Sequence, residues 1–171
     1  LPVEGPDVQR LKTQGISLSL NNQAGKAGFS IEGGPPVSTL PLSLVMDPQG
    51  IEINNGDQTV VKIAADSIEM SNSQQATVKL TPTDIELTSK PVAAKLSSSG
   101  GAIELTHGAT TITLKADSVE VKQGAATIKL SAGGIELSNN PAVVKLSASG
   151  VELSAQSPKI EVLPAMVKLS N

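Results

Sequence analysis

The chain has 171 residues, enough for one ordinary domain, with a formal net charge of -3 and Phe29 as its one aromatic residue. Ile, Val, Leu and Ala supply the apolar content, so a thick aromatic-centred core is excluded and strands are favoured over helices. The absence of cysteine removes disulfides, thiolate metal sites and cysteine nucleophiles, and no basic block offers a surface for nucleic acid.

Residues 1–49 read as an irregular β collar. The opening "LPVEGPDVQRLKTQG" is polar and turn-rich. It is expected to be a linker from an upstream domain and not a signal peptide, and the missing initiator Met suggests a fragment or a processed chain. Strands are expected at Ile16–Leu20, Phe29–Glu32 and Leu42–Met46, interrupted by "GGPPVSTLP" at Gly33–Pro41.

Residues 50–171 read as a repeat, the shaft and tip of a β-solenoid. Aliphatic-charge-aliphatic triplets centre on Glu52, Lys62, Glu69, Lys79, Glu86, Lys95 and Glu104. They continue on Glu120, Lys129, Glu136, Lys145, Glu152, Glu161 and Lys168, with Thr113 once in the place of a Lys. Later steps alternate nine and seven residues (Glu120 to Lys129 to Glu136), so the unit is an octad. Period-two alternation places both aliphatics on one face and the charge on the other, and no window sustains a helical period. Gly50, Gly101, Gly134 and Gly150, or Asp and Ser at Asp66, Asp84 and Asp117, precede the triplets as turn residues. Pro82, Pro91, Pro141, Pro158 and Pro164 fall in connections or at strand starts.

With only the triplet as strand, one octad contributes about two inward aliphatics to a layer, too few for a single-chain column. Three chains wound round a common axis would triple each layer and pair every strand with strands of other chains. The expected fold is therefore all-β, an intertwined homotrimeric β-helix or β-prism. In that arrangement the alternating residues form an interchain charge ladder, in which a slip of one octad would set Glu beside Glu. The alternation breaks where Glu161 follows Glu152, and Lys159, of the same strand parity, is expected to supply the missing charge. The last octad, "AMVKLSN", is short, and Val167 and Leu169 are expected to form a blunt tip.

Candidate chemistry is sparse. His107 is the one histidine, and it is expected in a connection just after a strand, where solvent exposure is favoured over an axial metal site. No GxSxG elbow is present, and the recurring Glu residues read as a ladder beside Lys and not as catalytic pairs. Neither a catalytic site, a metal nor a cofactor is expected.

The octad repeat, the lack of aromatics and the run "GAATIKLSAGGIELSNNPAVVKLSASGVELS" resemble the C-terminal β-helical spike of the VgrG and phage tail-spike family. The resemblance covers roughly residues 50–171, although the Val-Gly octad of that family is only partly kept. It implies a homotrimer at the tip of a contractile tube (type VI secretion, a phage baseplate or a related particle) pushed through a target envelope. It also implies an upstream hub or baseplate domain and, since the family's His-x-His tip motif is missing, a separate PAAR-type cap at the C-terminal end. The location implied is a virion tail tip or secretion by a contractile apparatus. A shaft of these triplets at one level each would be on the order of 70 Å long. Two alternatives remain at this stage: a passive trimeric fibre or adhesin stalk, and a monomeric β-solenoid.

Overall fold

The computed structural model describes residues 3–5, 7–56, 58–73, 75–155, 159–163 and 166–170, with side chains described for 7–56, 58–73, 75–155, 160 and 162. Every described element is a strand, and all the strand pairings described are antiparallel, so the chain is all-β. Two compact units divide it, Leu1–Lys90 and Pro91–Asn171.

In the first unit the strands are β1 (Val3–Gly5), β2 (Val8–Thr13), β3 (Ile16–Asn21), β4 (Gly28–Gly33) and β5 (Leu42–Asp47). They are followed by β6 (Gly50–Asn55), β7 (Thr59–Ile63), β8 (Ile68–Asn72), β9 (Ala76–Leu80) and β10 (Asp84–Ser89). From β1 to β10 consecutive strands pair, a simple meander.

The second unit repeats this plan with β11 (Val92–Ser97), β12 (Ala102–His107), β13 (Thr110–Lys115), β14 (Ser118–Gln123) and β15 (Ala126–Ser131). It continues with β16 (Gly134–Asn139), β17 (Ala142–Ser147), β18 (Gly150–Ala155), β19 (Lys159–Leu163) and β20 (Met166–Ser170), again paired in sequence order.

The strands are longer than the triplets that reveal them. An octad is a strand of five or six residues and a short reversal, because Ser and Thr that read as turn formers lie within strands. Ser138 and Ser154, for instance, are inside β16 and β18, on the solvated side where small polar residues are tolerated. The reversals demand glycine at particular points. Gly108 and Gly124 adopt φ of 60° and 57° in the two-residue connections after β12 and β14, the left-handed backbone that tight hairpins use. At the opposite edge Gly134 opens β16 with φ 121°, and a Cβ there would collide with the Leu146 carbonyl oxygen of β17.

This differs from the interwound pairing expected of three-residue strands. A chain that reverses after two residues must pair with itself, so the ladder partners are the chain's own neighbouring strands. A second difference lies in residues 1–15, expected as linker, where Val8–Thr13 forms a full strand paired with β3 from Val8↔Asn21 to Thr13↔Ile16. Leu11 is the one large aliphatic on that strand's inward parity, too weak an alternation to announce itself. The strands expected at Ile16–Leu20, Phe29–Glu32 and Leu42–Met46 are present as β3, β4 and β5.

Register sorts the side chains onto two faces. On one, Ile135, Leu137, Val144, Leu146, Val151 and Leu153 lie opposite or next to one another across β16, β17 and β18. On the other, Glu136, Lys145 and Glu152 form the central column between small residues such as Gly134, Ser147 and Ser154. Among the described residues no side chain is buried, hydrophobic or polar. Leu137, Leu146 and Leu153 are 44%, 48% and 40% exposed, and Leu11, Ile31 and Leu87 in the first unit are 46%, 40% and 46% exposed. Each unit thus presents a predominantly aliphatic face that no described side chain covers.

Candidate functional site

The charge ladder is the most ordered polar feature. Lys62 lies directly opposite Glu52 and Glu69, and Lys79 opposite Glu69 and Glu86. In the second unit Lys95 faces Glu104, Lys129 lies between Glu120 and Glu136, and Lys145 between Glu136 and Glu152. The sequence reading set the two signs on different chains; the register sets them on adjacent strands of the same chain.

Rungs close as ion pairs across the strands, as between Lys62 Nζ and Glu52 Oε2 at 3.3 Å and between Lys145 Nζ and Glu136 Oε2 at 3.4 Å. These side chains are about half exposed, so each pair contributes at most about 1 kcal/mol. The cross-strand rule still favours opposite charges over like ones at each rung, and this gives the ladder its discriminating power.

At Thr113 the ladder takes a different form. Thr113 lies between Glu104 and Glu120, where a Lys would complete the alternation. Lys122 makes up the charge from within β14, with its Nζ 2.7 Å from Glu120 Oε1. That hydrogen bond, with the nearby charges of Lys122, Lys129 and Lys115, holds the Glu120 carboxyl below the usual carboxylate range. Sequence reading passed over Lys122 because it lies outside the triplet, although its spacing of two from Glu120 places it on the same face.

Toward the C-terminus the backbone register sets Glu161 opposite both Glu152 and Lys168, and Lys159 opposite Ser154. Lys159 therefore shares the face of Glu161, as its parity requires. The side chains of Lys159, Glu161, Val167, Lys168 and Leu169 lie outside the described residues. The tip assigned to Val167 and Leu169 is accordingly placed only by backbone, on β20 paired with β19.

His107 is not in a connection. It is the last residue of β12, between Val92 of β11 and Thr110 of β13, with the parity of Ile103 and Leu105, and its side chain is exposed. No group of three or more His, Asp or Glu among the described residues is arranged to hold a metal ion. The surface concavities are shallow margins of the sheets; one of about 410 Å³ is lined by Lys129, Glu136, Lys145 and Glu152 with the glycines and serines of the adjoining edge. Such a groove can bind through charge, but its carboxylates lie beside lysines in a solvated row. The face that could do more is the aliphatic one, whose main chemistry is burial.

The chain matches no protein-family model, no curated protein and no solved structure.

Proposed function

We propose that this chain is the shaft of a homotrimeric spike, in which each copy turns its aliphatic face to the axis and its charged face to solvent. The observation that carries this reading is the uncovered aliphatic face, present on both units and accompanied by no buried side chain among the described residues. Monomeric proteins rarely leave contiguous apolar patches above a few hundred Å² exposed. Strands of six residues are about 20 Å wide, and the eight strands β11–β18 extend about 40 Å across the sheet, so that one face offers on the order of 800 Å². That is the contribution of one partner to a stable protein interface.

Three copies suit the strand length. A triangle with sides of about 20 Å has its centre about 6 Å from each side, close to half of the ~10 Å that separates packed sheets. One layer of Leu, Ile and Val from each face would fill the axis. A square of such faces would leave a hole. Since the strand ladders pair within the chain, the copies meet through side chains, one face per chain, in place of interwound strands.

The resemblance of residues 50–171 to VgrG and phage tail spikes supports the role of a piercing element in a contractile injection machine. Under that role an upstream hub or baseplate domain would precede the shaft and a PAAR-type cap would dock at Val167 and Leu169. The mixed-charge outer face would let such a body cross a target envelope without staying in it.

Light scattering tests the assembly: the expected mass is about three times 17.4 kDa, and a folded monomer would overturn the reading. Pull-down with candidate cap proteins tests the polarity. The intact chain should retain a cap that a chain truncated before Pro164 loses, and equal retention by both refutes docking at this end.

A further inference from the structure

The aliphatic face is nearly free of ionisable chemistry. Within β2–β10 and within β11–β18 the register places every described Asp, Glu, Lys and Arg of the strands opposite the aliphatic face, and in the second unit one titratable side chain, His107, lies on the aliphatic face. The neighbours of His107 on that face are Leu105 of its own strand, Val92 opposite and Ala94 diagonal on β11, and Thr110 opposite and Ile112 diagonal on β13. Neither strand brings a charged or titratable group to it. Lys95, Glu104 and Lys115, the charges of these three strands, all have the other parity.

The corresponding edge position is uncharged in every other repeat, Ala155 in β18 and a polar residue elsewhere. Asn55 and Asn72 occupy it in the first unit, Gln123 and Asn139 in the second. The position therefore tolerates a hydrogen-bonding group, and at His107 that group is an imidazole.

We propose that His107 makes assembly through the aliphatic face sensitive to acid, closing it at neutral pH and loosening it when the ring is protonated. The inference rests on the homotrimer reading, with two further copies of this chain as the occupants of the face. Covering the face withdraws water from the imidazole and offers the charged form no carboxylate, so desolvation disfavours imidazolium. The assembled state then binds fewer protons than the separated chains, and by linkage assembly is strong above the titration of the ring and weakens as pH falls through it. Imidazole ordinarily changes charge between about pH 5 and 8, whereas unperturbed carboxylates titrate lower. A trimer would feel the change three times.

The test is sedimentation of the full chain and of His107→Gln, which restores the amide found at Gln123, at pH 7.5 and pH 5.5. Wild type is expected to be assembled at pH 7.5 and to associate at least about tenfold more weakly at pH 5.5. His107→Gln should assemble equally at both, and His107→Lys should be weak at both. If wild type and His107→Gln are assembled at pH 7.5 and respond alike to acid, the role of His107 is refuted while the trimer stands. A wild-type chain that is monomeric at both pH values overturns both.

Discussion

Strands β2–β5 of the first unit and β14–β18 of the second each build an aliphatic face, but behind different outer faces. In β2–β5 the outer side carries Arg10 and Lys12, then Ser17, Ser19, Ser30 and Ser43, with Glu32 among them. In β14–β18 it carries the strict sequence Glu120, Lys129, Glu136, Lys145, Glu152. The connections differ in parallel. Residues 22–27 and 34–41 are long and dissimilar, whereas every connection from β14 to β18 has two residues. Where loops are unlike one another they fix which strands meet. Where octads are nearly identical, mispairing costs little in aliphatic contacts, and alternating charge distinguishes the right partner from the wrong one. The constant element is the aliphatic face.

The largest expected effect challenges that constancy. Leu18→Asp lies on the aliphatic face of the first unit, without a ladder, and Leu137→Asp on that of the second, within it. If copies cover the face throughout, each substitution buries an unpaired charge and costs about 3 kcal/mol or more. Both should lower the melting temperature and the sedimentation mass, and an effect at Leu137 alone would confine the covered surface to the repeat.

Gly134→Ala comes next. The strained φ of 121° alone costs about 1–3 kcal/mol, and the Leu146 carbonyl must also move. Gly133→Ala should be nearly silent, since a Cβ there meets nothing closer than the Ser131 Oγ at 3.7 Å. Chemical denaturation compares the two, and equal losses would remove the close approach as the cause.

Charge reversal is smaller and separates the regions most clearly. Lys129→Glu with Lys145→Glu sets like charges across four rungs, each costing about 0.2–1 kcal/mol. Adding Glu120→Lys, Glu136→Lys and Glu152→Lys should recover most of the loss. Ser30→Glu, opposite Ser19 and Val45, should leave stability unchanged. Equal melting of the reversed and restored ladders would show that the alternation does not select partners.

The smallest effect concerns Glu120 and acid. Its carboxyl is held low chiefly by the Lys122 hydrogen bond, so its contribution is present above the ordinary carboxylate range and lost as pH falls through the lowered value. Lys122→Ala should bring the Glu120 titration, followed by NMR, back toward the ordinary range. No movement would assign the shift to Lys129 and Lys115.

Much of this was legible in the sequence because the pattern has period two. Ile135-Glu136-Leu137 states its own face assignment, and the spacing of seven and nine residues states the repeat. Strand length was hidden, since Ser and Thr serve both turns and solvated strand positions; Ser131 and Ser147 gave no cue that they end strands. Pairing was hidden too: spacing alone fits a chain winding onward as well as one turning back, and only the positive φ at Gly108 and Gly124 decides for reversal. The setting of His107 could have been found by extending the Ile103, Leu105 parity by two residues. The compensation of Thr113 by Lys122 required the register of β13 against β14, which no local pattern contains.

The two-residue reversal also makes the repeat a unit of length. Deleting Ile135–Gly150 removes sixteen residues and joins Gly134 to Val151, so that β15 would be followed by β18, with Lys129 brought opposite Glu152. Sign, face and the edge bearing each kind of turn all remain in phase. Deleting eight residues instead, Ile135–Ala142, would make Lys145 the next ladder charge after Lys129, like sign on adjacent strands, and exchange the turns between edges. A gene encoding such a chain can therefore lengthen or shorten it by recombination in steps of two strands, each step nearly silent to folding, while single-strand steps are penalised at once.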